Sequence, residues 1–310
     1  MRALVNTKNM LLHAYDHHYA VGAFNVNNME VIQGVAKAAK EQRSPVILQA
    51  SSFTGQYADL GYIVGIAENA ARLADVPVAL HLDHGEDLET CKEFIQAGFT
   101  SVMIDGSHLP YEENVALTRS VCEYAHRYDI TVEGELGTLA GVEDGRSAEQ
   151  SLYTDPEQAR DFAERTGVDS LAIAIGTSHG AYKFKPGQKP MLRFDILEQV
   201  SRLMPRLPIV LHGASSVNQE DIAEINAMGG DISGAIGIPE EMLAQASRLA
   251  VCKINVDTDL RLAMTGAIRK YLHEAPEQID YRKYIGAGRD HLAERVSHKM
   301  KNVFLSAERY

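Results

Sequence analysis

Three histidines stand where short apolar runs of the sequence end: His84, His179 and His212. Neutral imidazole is the usual ligand of catalytic Zn²⁺, which takes three protein ligands and keeps one coordination position open. Most of the 12 histidines in the chain are better interpreted as surface or satisfied core residues. His81 is expected to face a neighbouring layer of the fold and to help orient ligands. If the three run ends meet in the fold, the three histidines predict a zinc site.

Asp83 lies next to His84, and its carboxylate could transfer a proton at a substrate carbon or hydroxyl held against the metal. It could equally orient the neighbouring ligand or cap the helix expected at residues 86–89. Cleavage of a carbon–carbon bond next to a ketone places negative charge on the ketone oxygen, which Zn²⁺ stabilises without a Schiff-base lysine. Lys253 is the mid-strand lysine that could form such a base, and the metal site makes that role redundant.

Three turns that suit phosphate groups follow the same runs, at residues 178–180, 212–216 and 255–258. The first two contain glycine, and the third opens the last expected helix. Backbone N–H groups in such turns and at helix N-termini bind phosphate oxygens. Ordinary tight turns use the same residue types, but the middle turn begins at a candidate zinc ligand. We therefore predict phosphate binding beside the metal.

Eight short apolar, β-rich runs recur along the chain, each followed by a helical pattern. They cover residues 21–25, 46–50, 78–83, 101–105, 131–136, 170–175, 208–212 and 251–256. This alternation indicates parallel α/β architecture, and nearly continuous apolar strands suit burial on both faces. Eight such units in 310 residues favour a single (β/α)8 TIM barrel over an open sheet, with the active site at the C-terminal ends of the strands.

Two polar stretches are longer than an ordinary barrel connection. Residues 137–147 form a glycine-spaced stretch after the fifth run, and residues 180–187 follow the sixth. A long loop in a compact fold is usually functional, so residues 137–147 are predicted to form a lid. No low-complexity segment or linker interrupts the pattern, which predicts one domain over residues 1–310.

The composition excludes several function classes. The formal net charge of −12 and the sparse basic clusters argue against a nucleic-acid partner. The three widely spaced cysteines fit neither a disulfide framework nor a cysteine-rich zinc module. No apolar stretch has the length of a signal peptide or of a membrane span. We therefore expect no membrane association and a reducing, cytoplasmic setting.

Four segments together resemble the motifs of class II fructose-bisphosphate aldolases, in order and at family-like spacing. They are residues 81–85 (HLDHG), 176–180 (GTSHG), 211–215 (LHGAS) and 253–259 (KINVDTD). The resemblance implies reversible, zinc-dependent cleavage of fructose 1,6-bisphosphate to dihydroxyacetone phosphate and glyceraldehyde 3-phosphate, in glycolysis and gluconeogenesis.

The resemblance also implies roles for individual residues. The family's zinc ligands match His84, His179 and His212. The residue matching Asp83 transfers a proton at the hydroxyl of the cleaved carbon. Glu143, in the stretch that resembles the family's mobile loop, would be the acid/base at the dihydroxyacetone phosphate carbon. Asp105 and Glu135 match carboxylates near the metal that orient ligands or occupy an alternative metal position.

The two phosphate ends are assigned by the same resemblance. The residues that match the grip on dihydroxyacetone phosphate are Gly180, Lys183, Gly213, Ser215, Asn255 and Thr258. The residues that match contacts of the second phosphate are Ser51, Arg261 and Arg282, the arginine in some members reaching across a subunit interface. A homodimer or homotetramer and an additional monovalent cation are also expected. Where the family often reads His-Gly-Gly-Ser, this chain has Ala214, so the turn must avoid left-handed geometry there.

Three other functions stay open. Tagatose-1,6-bisphosphate aldolase shares the chemistry with one hydroxyl inverted, and that subgroup tends to replace Asp257 by alanine, so this aspartate favours fructose and joins the predicted substrate site. A barrel metallohydrolase would normally carry a His-X-His pair on the first strand, and residues 21–25 contain none. A non-enzymatic sugar-phosphate-binding or zinc-dependent structural protein would need the ligands without the acid/base pair, whereas Asp83 and Glu143 are both present.

Overall fold

A closed barrel of eight parallel strands forms the centre of the protein in a computed structural model. The structure describes residues 3–138, 141–143, 146–148, 152–178, 180 and 190–310, with residues 141–143 and 146–148 as backbone only. The barrel strands are β1 Val21–Asn25, β2 Val46–Ala50, β3 Val78–Gly85, β4 Ser101–Ile104, β5 Thr131–Leu136, β8 Ser170–Ile173, β9 Ile209–Leu211 and β10 Val251–Val256. Their order around the barrel is β1-β10-β9-β8-β5-β4-β3-β2. The eight predicted runs are confirmed, with ends that differ by at most two residues.

Helices connect consecutive strands, as the predicted (β/α)8 TIM barrel requires. They are α1 Lys8–His17, α2 Met29–Gln42, α3 Ser52–Ala58, α4 Leu60–Ala74, α5 Leu88–Ala97, α6 Tyr111–Ala125, α7 Pro156–Thr166, α8 Phe194–Leu203, α9 Gln219–Ala227, α10 Glu240–Leu249, α11 Thr258–Glu274 and α12 Tyr281–Asn302. The α2 helix shows the local logic, since the Asn28 side chain caps it by accepting from the Val31 N–H at 2.9 Å. The barrel fold is therefore confirmed, whereas one domain over residues 1–310 stays a prediction.

The barrel strands are buried along almost their whole length. Every residue of β1, β2, β5 and β10 is buried, because helices cover the outer face and side chains of the other strands fill the interior. The interior is not wholly apolar. His81, Glu133 and Lys253, from three different strands, are each at most 1% exposed, so ionisable groups lie in the middle of the barrel.

The polar stretch after β5 contains a small antiparallel hairpin. Its strands are β6 Gly141–Glu143 and β7 Arg146–Ala148, with Glu143 opposite Arg146. An isolated pair of residues, Thr138 and Leu152, also bridges in antiparallel fashion at the base of the stretch. Part of the expected loop therefore has regular structure, while its function as a lid stays a prediction.

All three cysteines are buried and unpaired. Burial raises the pKa of the thiols of Cys91, Cys122 and Cys252 to about 12. Their neutral side chains act as small apolar core residues, in keeping with the expectation of no disulfide framework. Among the described residues, no helix combines the length and apolar character that crossing a membrane requires.

Candidate active site

Asp83 and His84 lie at the end of β3, where a bulge bends the strand. The pairing between β3 and β4 shifts register between Leu82 and Gly85. His84 has a φ of 50°, in the left-handed region that residues other than glycine rarely adopt. Such strain costs about 1–3 kcal/mol and persists only where its surroundings enforce it. The bulge allows two successive side chains to serve one site, although a regular strand would point them to opposite faces.

Two of the predicted zinc ligands face each other across the carboxyl end of the barrel. His84 Nε2 and His212 Nδ1 are 2.9 Å apart. Potential ligand atoms of Asp83, His84 and His212 all lie within 4.8 Å of one another, and so do those of His84, Asp105 and Glu135. The structure thus brings five predicted site residues together from four strands.

A carboxylate holds the outer nitrogen of each imidazole. His84 Nδ1 donates to Asp105 Oδ2 at 3.0 Å, and His212 Nε2 donates to Glu133 Oε1 at 2.6 Å. The other nitrogen of each ring is left to face the space between them. This is the arrangement of metal-binding histidines, whose second nitrogen usually donates to a carboxylate or carbonyl.

Buried negative charge dominates the surroundings of His84. Burial alone would lower the pKa of His84, but Asp83, Asp105 and Glu135 outweigh it and raise that pKa to about 9. Burial and the nearby Asp105 raise the pKa of Glu135 well above its usual range. Burial also holds the pKa of His212 well below its usual range, so this imidazole is neutral, as a metal ligand must be. The cluster therefore attracts a positive charge, either a proton or a metal ion.

An unmatched oxygen supports the metal. Glu135 Oε2 is buried and has no hydrogen-bond partner among the described residues. It lies 3.8 Å from His84 Nδ1 and 3.8 Å from His212 Nδ1. A buried polar atom without a partner costs roughly 1–3 kcal/mol, and a cation among these atoms would remove that cost. Imidazole nitrogens and carboxylate oxygens form a ligand set that suits Zn²⁺, so the residues present fit the predicted metal.

Three side-chain amides hold the Asp83 carboxylate. Asn25 Nδ2 and Gln49 Nε2 donate to Oδ2 at 2.9 and 3.0 Å, and Asn255 Nδ2 donates to Oδ1 at 3.0 Å. Burial opposes ionisation, but His84 and the other positive and amide partners outweigh it and lower the pKa of Asp83. The carboxylate is therefore ionised and held in place by its partners, and ionised is the form in which a general base acts.

The capping role that the sequence left open for Asp83 belongs to another residue. Asp87 caps α5, since its side chain accepts from the Thr90 N–H at 2.7 Å. Asp83 instead points its two oxygens at the amides of the barrel mouth. Orientation of its neighbour His84 and direct proton transfer are the two interpretations that this geometry leaves.

Most of the predicted phosphate-end residues line one small pocket. Its walls come from the ends of four barrel strands and the turns that follow them. The lining residues are Asn25, Gly180, Gly213, Ala214, Ser215, Asn255, Asp257 and Thr258. All of the predicted dihydroxyacetone phosphate contacts among the described residues belong to this set.

Gly213 allows two of these turns to approach closely. It has a φ of 57°, and a Cβ built there would lie 2.6 Å from the carbonyl carbon and oxygen of Ser178. A side chain at this position would push the turn after β9 away from the turn after β8. The next residue, Ala214, is buried and does not have a positive φ, so the predicted avoidance of left-handed geometry there is confirmed.

The predicted contacts of the second phosphate are more scattered. Ser51 is buried at the start of α3. Arg261 donates to Asp257 through Nε at 2.9 Å and through Nη2 at 2.6 Å. Arg282 forms a two-point pair with Asp280 at 2.9 and 2.8 Å. Within the described part of the chain, no hydrogen bond or ion pair joins Arg282 to another predicted site residue.

Three predicted site residues cannot be located fully. His179 and Lys183 lie outside the described residues, and Glu143 is described by its backbone alone. The third zinc ligand and the loop acid/base therefore stay predictions.

Sequence reasoning did not assign Asn25, Gln49 or Glu133 to the site. Asn25 and Gln49 are polar residues near the C-terminal ends of otherwise apolar strands, and that is the signal that could have identified them, whereas Glu133 lies in the first half of β5. Asn25 and Gln49 are also register partners on the neighbouring strands β1 and β2. They act on Asp83 together because the barrel places them side by side.

Comparison with known proteins identifies the family. The model of the family described as class II fructose-bisphosphate aldolase matches residues 5–231 and 232–309. A fructose-bisphosphate aldolase of Treponema pallidum (strain Nichols) is 52% identical, over 99% of this chain and 97% of the relative. The D-tagatose-1,6-bisphosphate aldolase subunit GatY of Klebsiella oxytoca is 45% identical, over 91% of each chain.

A solved structure agrees with these matches. The crystal structure of the YdjI aldolase from Escherichia coli K12 superposes with a TM-score of 0.80 at 32% sequence identity, covering 98% of both chains. Fold, site geometry and sequence thus lead to one assignment. The chain belongs to the class II fructose-bisphosphate aldolase family and is an aldehyde-lyase.

Proposed function

We propose that the protein is a zinc-dependent aldolase that reversibly cleaves fructose 1,6-bisphosphate to dihydroxyacetone phosphate and glyceraldehyde 3-phosphate. The observation that carries the proposal is the meeting of His84 Nε2 and His212 Nδ1 at 2.9 Å beside the amide-held carboxylate of Asp83. This arrangement supports a metal site and a proton-transfer group side by side. Family membership supports a sugar bisphosphate as the substrate.

His84, His179 and His212 would hold the zinc, with Asp105 and Glu135 as the nearby carboxylates. Zn²⁺ bound there would polarise the ketone and stabilise the negative charge that develops on its oxygen. Asp105 orients His84, and Glu135 would offer its unpartnered carboxyl oxygen to a cation. Following the resemblance, we also propose that Asp105 and Glu135 serve an alternative metal position and that a monovalent cation assists phosphate binding.

Asp83 is the proposed base in the cleavage direction. It removes the proton from the hydroxyl on carbon 4, the carbon 3–carbon 4 bond breaks, and carbon 4 leaves as the aldehyde. The bonding electrons pass towards the ketone oxygen. Glu143 then delivers a proton to carbon 3, which completes dihydroxyacetone phosphate. In the synthetic direction the two residues exchange roles, so that Glu143 removes a proton and Asp83 returns one.

The phosphate contacts follow the same proposal. Backbone N–H groups and hydroxyls at the pocket would bind the dihydroxyacetone phosphate end, and the residues assigned to it are Gly180, Lys183, Gly213, Ser215, Asn255 and Thr258. The second phosphate is assigned to Ser51, Arg261 and Arg282. Arg282 would complete the phosphate site of a neighbouring subunit in a homodimer or homotetramer. We also propose that the protein is cytoplasmic.

Tagatose 1,6-bisphosphate is the second candidate substrate, because GatY of Klebsiella oxytoca carries that activity in its name. Asp257 favours fructose, since the tagatose subgroup tends to carry alanine at this position, and here the aspartate is part of the pocket lining and pairs with Arg261. A coupled assay on both sugar bisphosphates, with and without a chelator, tests reaction, epimer and metal together. Activity on fructose 1,6-bisphosphate that disappears with chelator and returns with Zn²⁺ is expected. Activity that survives complete metal removal would contradict the proposal.

A further inference from the structure

We propose that Lys253 is a positioning residue for the metal site, because it orients Glu133 and thereby fixes which nitrogen of His212 faces the metal. The inference rests on the proposed zinc site. It assigns a role to a buried ion pair that the proposed reaction leaves unused.

The contacts form a chain from the barrel interior to the site. Lys253 Nζ is 2.9 Å from Glu133 Oε2, and Glu133 Oε1 accepts from His212 Nε2 at 2.6 Å. The three side chains come from β10, β5 and β9, and each is at most 1% exposed. Lys253 therefore occupies one oxygen of Glu133 and leaves the other for His212.

His81 limits the movement of the lysine. Its Nε2 lies 3.4 Å from Lys253 Nζ, and its Nδ1 is 2.8 Å from Ser101 Oγ. His81 Nε2 also lies 3.8 Å from Glu133 Oε2, so His81 contacts both members of the ion pair. The Lys253 ammonium group therefore has two buried neighbours, His81 and Glu133, and its position sets the direction of the Glu133 carboxylate.

The direction of Glu133 matters because a neutral imidazole carries its proton on either nitrogen. An ionised carboxylate can only accept a hydrogen bond, so Glu133 selects the form of His212 that is protonated on Nε2. Nδ1 then presents its lone pair towards His84 and Glu135. An apolar pair of similar volume would fill the same space without a buried charge, often at equal or better stability. Selection of the imidazole form gives the ion pair a function that packing alone does not require.

The wild-type enzyme provides the first test. In the full-length, zinc-loaded protein with ¹⁵N-labelled histidine, NMR shifts distinguish a metal-bound nitrogen from a protonated one. We expect His212 to have a protonated Nε2 and a zinc-bound Nδ1. The reverse assignment would overturn the inference without any variant. A wild-type protein that binds no zinc would instead refute the proposed function, so the two failures are distinguishable.

The second test exchanges the acceptor. In Glu133→Gln, Lys253 attracts the amide oxygen, so the amide NH₂ faces His212 Nε2 and forces the proton onto Nδ1. Loss of such an orienting carboxylate typically costs about 10–100-fold in metal affinity, and we expect a loss of that size for Zn²⁺. In the double variant Glu133→Gln/Lys253→Met, the amide is free to turn its oxygen to His212, so most of the affinity should return.

Thr131→Val is the matched control, since Thr131 is equally buried on the same strand and also loses a hydrogen bond. Its zinc affinity should equal that of the wild type. Unchanged affinity in Glu133→Gln, equal losses in the single and double variants, or the same loss in Thr131→Val would each overturn the inference. If Glu133→Gln does not fold, because it leaves the Lys253 charge unpaired, the wild-type NMR assignment still decides.

Discussion

The two ends of the barrel treat buried polar groups differently. At the carboxyl ends of the strands, four buried side-chain atoms lack a hydrogen-bond partner among the described residues: Gln49 Oε1, Glu135 Oε2, Thr177 Oγ1 and Asn255 Oδ1. At the opposite end, Thr7 Oγ1 lies 2.7 Å from Thr131 Oγ1, and Ser101 Oγ lies 2.8 Å from His81 Nδ1. The named side chains at the opposite end are hydrogen-bonded to one another, whereas the four atoms at the carboxyl ends have no hydrogen-bond partner within the described part of the chain.

The difference separates function from stability within one fold. Buried polar groups are normally paired, and each exception needs an explanation. Here all four exceptions belong to residues at the carboxyl ends of the strands or in the turn after β8, on the side of the barrel where the proposed substrate and metal would bind. In barrels of this kind, residues at the carboxyl ends serve the reaction and those at the other end serve the fold. Variants at the two ends should therefore fail in different assays.

Removal of a zinc ligand should have the largest effect. His84→Ala and His212→Ala should lose bound zinc and at least about 10³-fold in kcat, because the metal supplies several kcal/mol of charge stabilisation. The fold should persist, since the barrel core does not depend on the site. Elemental analysis and circular dichroism measure the two outcomes. Full zinc content in either variant would remove that histidine from the ligand set.

Loss of a proton-transfer group should come next, at about 10²–10⁴-fold in rate. Asp83→Ala should slow cleavage by that factor but retain proton exchange on dihydroxyacetone phosphate, since exchange needs the metal and the other base. Glu143→Ala should depress exchange and cleavage together. Deuterium exchange measured alongside cleavage separates the two variants. Exchange at the wild-type rate in Glu143→Ala would show that the hairpin glutamate is not the base.

At the end of the barrel opposite the site, a substitution should change the free energy of unfolding and not the reaction rate. Thr131→Val removes the hydrogen bond to Thr7 at similar volume and should cost about 1 kcal/mol in the free energy of unfolding. Its kcat and KM should equal those of the wild type. Urea unfolding and steady-state kinetics test both statements. A changed kcat with normal stability would contradict the division between the two ends.

The smallest effect should come from the outer helices, which belong to neither end. His291 Nε2 donates to Asp221 Oδ1 at 2.9 Å, and this bond outweighs burial and raises the pKa of His291. A raised pKa means that the stabilisation is fully present below about pH 6.5, the usual value, and is lost as the pH rises through the folded-state value. His291→Gln should therefore lower the free energy of unfolding more at about pH 5.5 than at about pH 9, by less than about 1 kcal/mol, as measured by urea unfolding at the two pH values. An equal loss at both pH values would contradict it.

The fold could be predicted because its information is local. Most barrel strands are nearly continuous apolar runs of a few residues, and burial on both faces needs no knowledge of the partner strand. Asp83 and His84 could also be identified, since they end such a run. It could not be predicted that both side chains serve the same site, because this depends on the left-handed φ of His84 and on the bulge after Leu82.

The residues that sequence reasoning missed depend on contacts between strands. Asn25 and Gln49 act on Asp83 only through the register of β1, β2 and β3. The sequence offers Lys253 as a candidate Schiff-base lysine, but its ion-pair partner Glu133 lies on β5, far away in the sequence. For Arg282, sequence reasoning assigned a role that one chain alone does not display. The family resemblance assigns this arginine to a phosphate, whereas within the single chain its guanidinium pairs with Asp280.

The buried cysteines make the protein a convenient background for site-directed labelling. A thiol reacts as the thiolate, and pKa values of about 12 at Cys91, Cys122 and Cys252 leave almost none at neutral pH. Maleimide and iodoacetamide reagents should therefore ignore the native enzyme and modify it only as it unfolds. A single cysteine introduced on the surface could carry a fluorophore or spin label without removal of the natural three, so opening and closing near the barrel mouth could be followed in the otherwise unaltered enzyme.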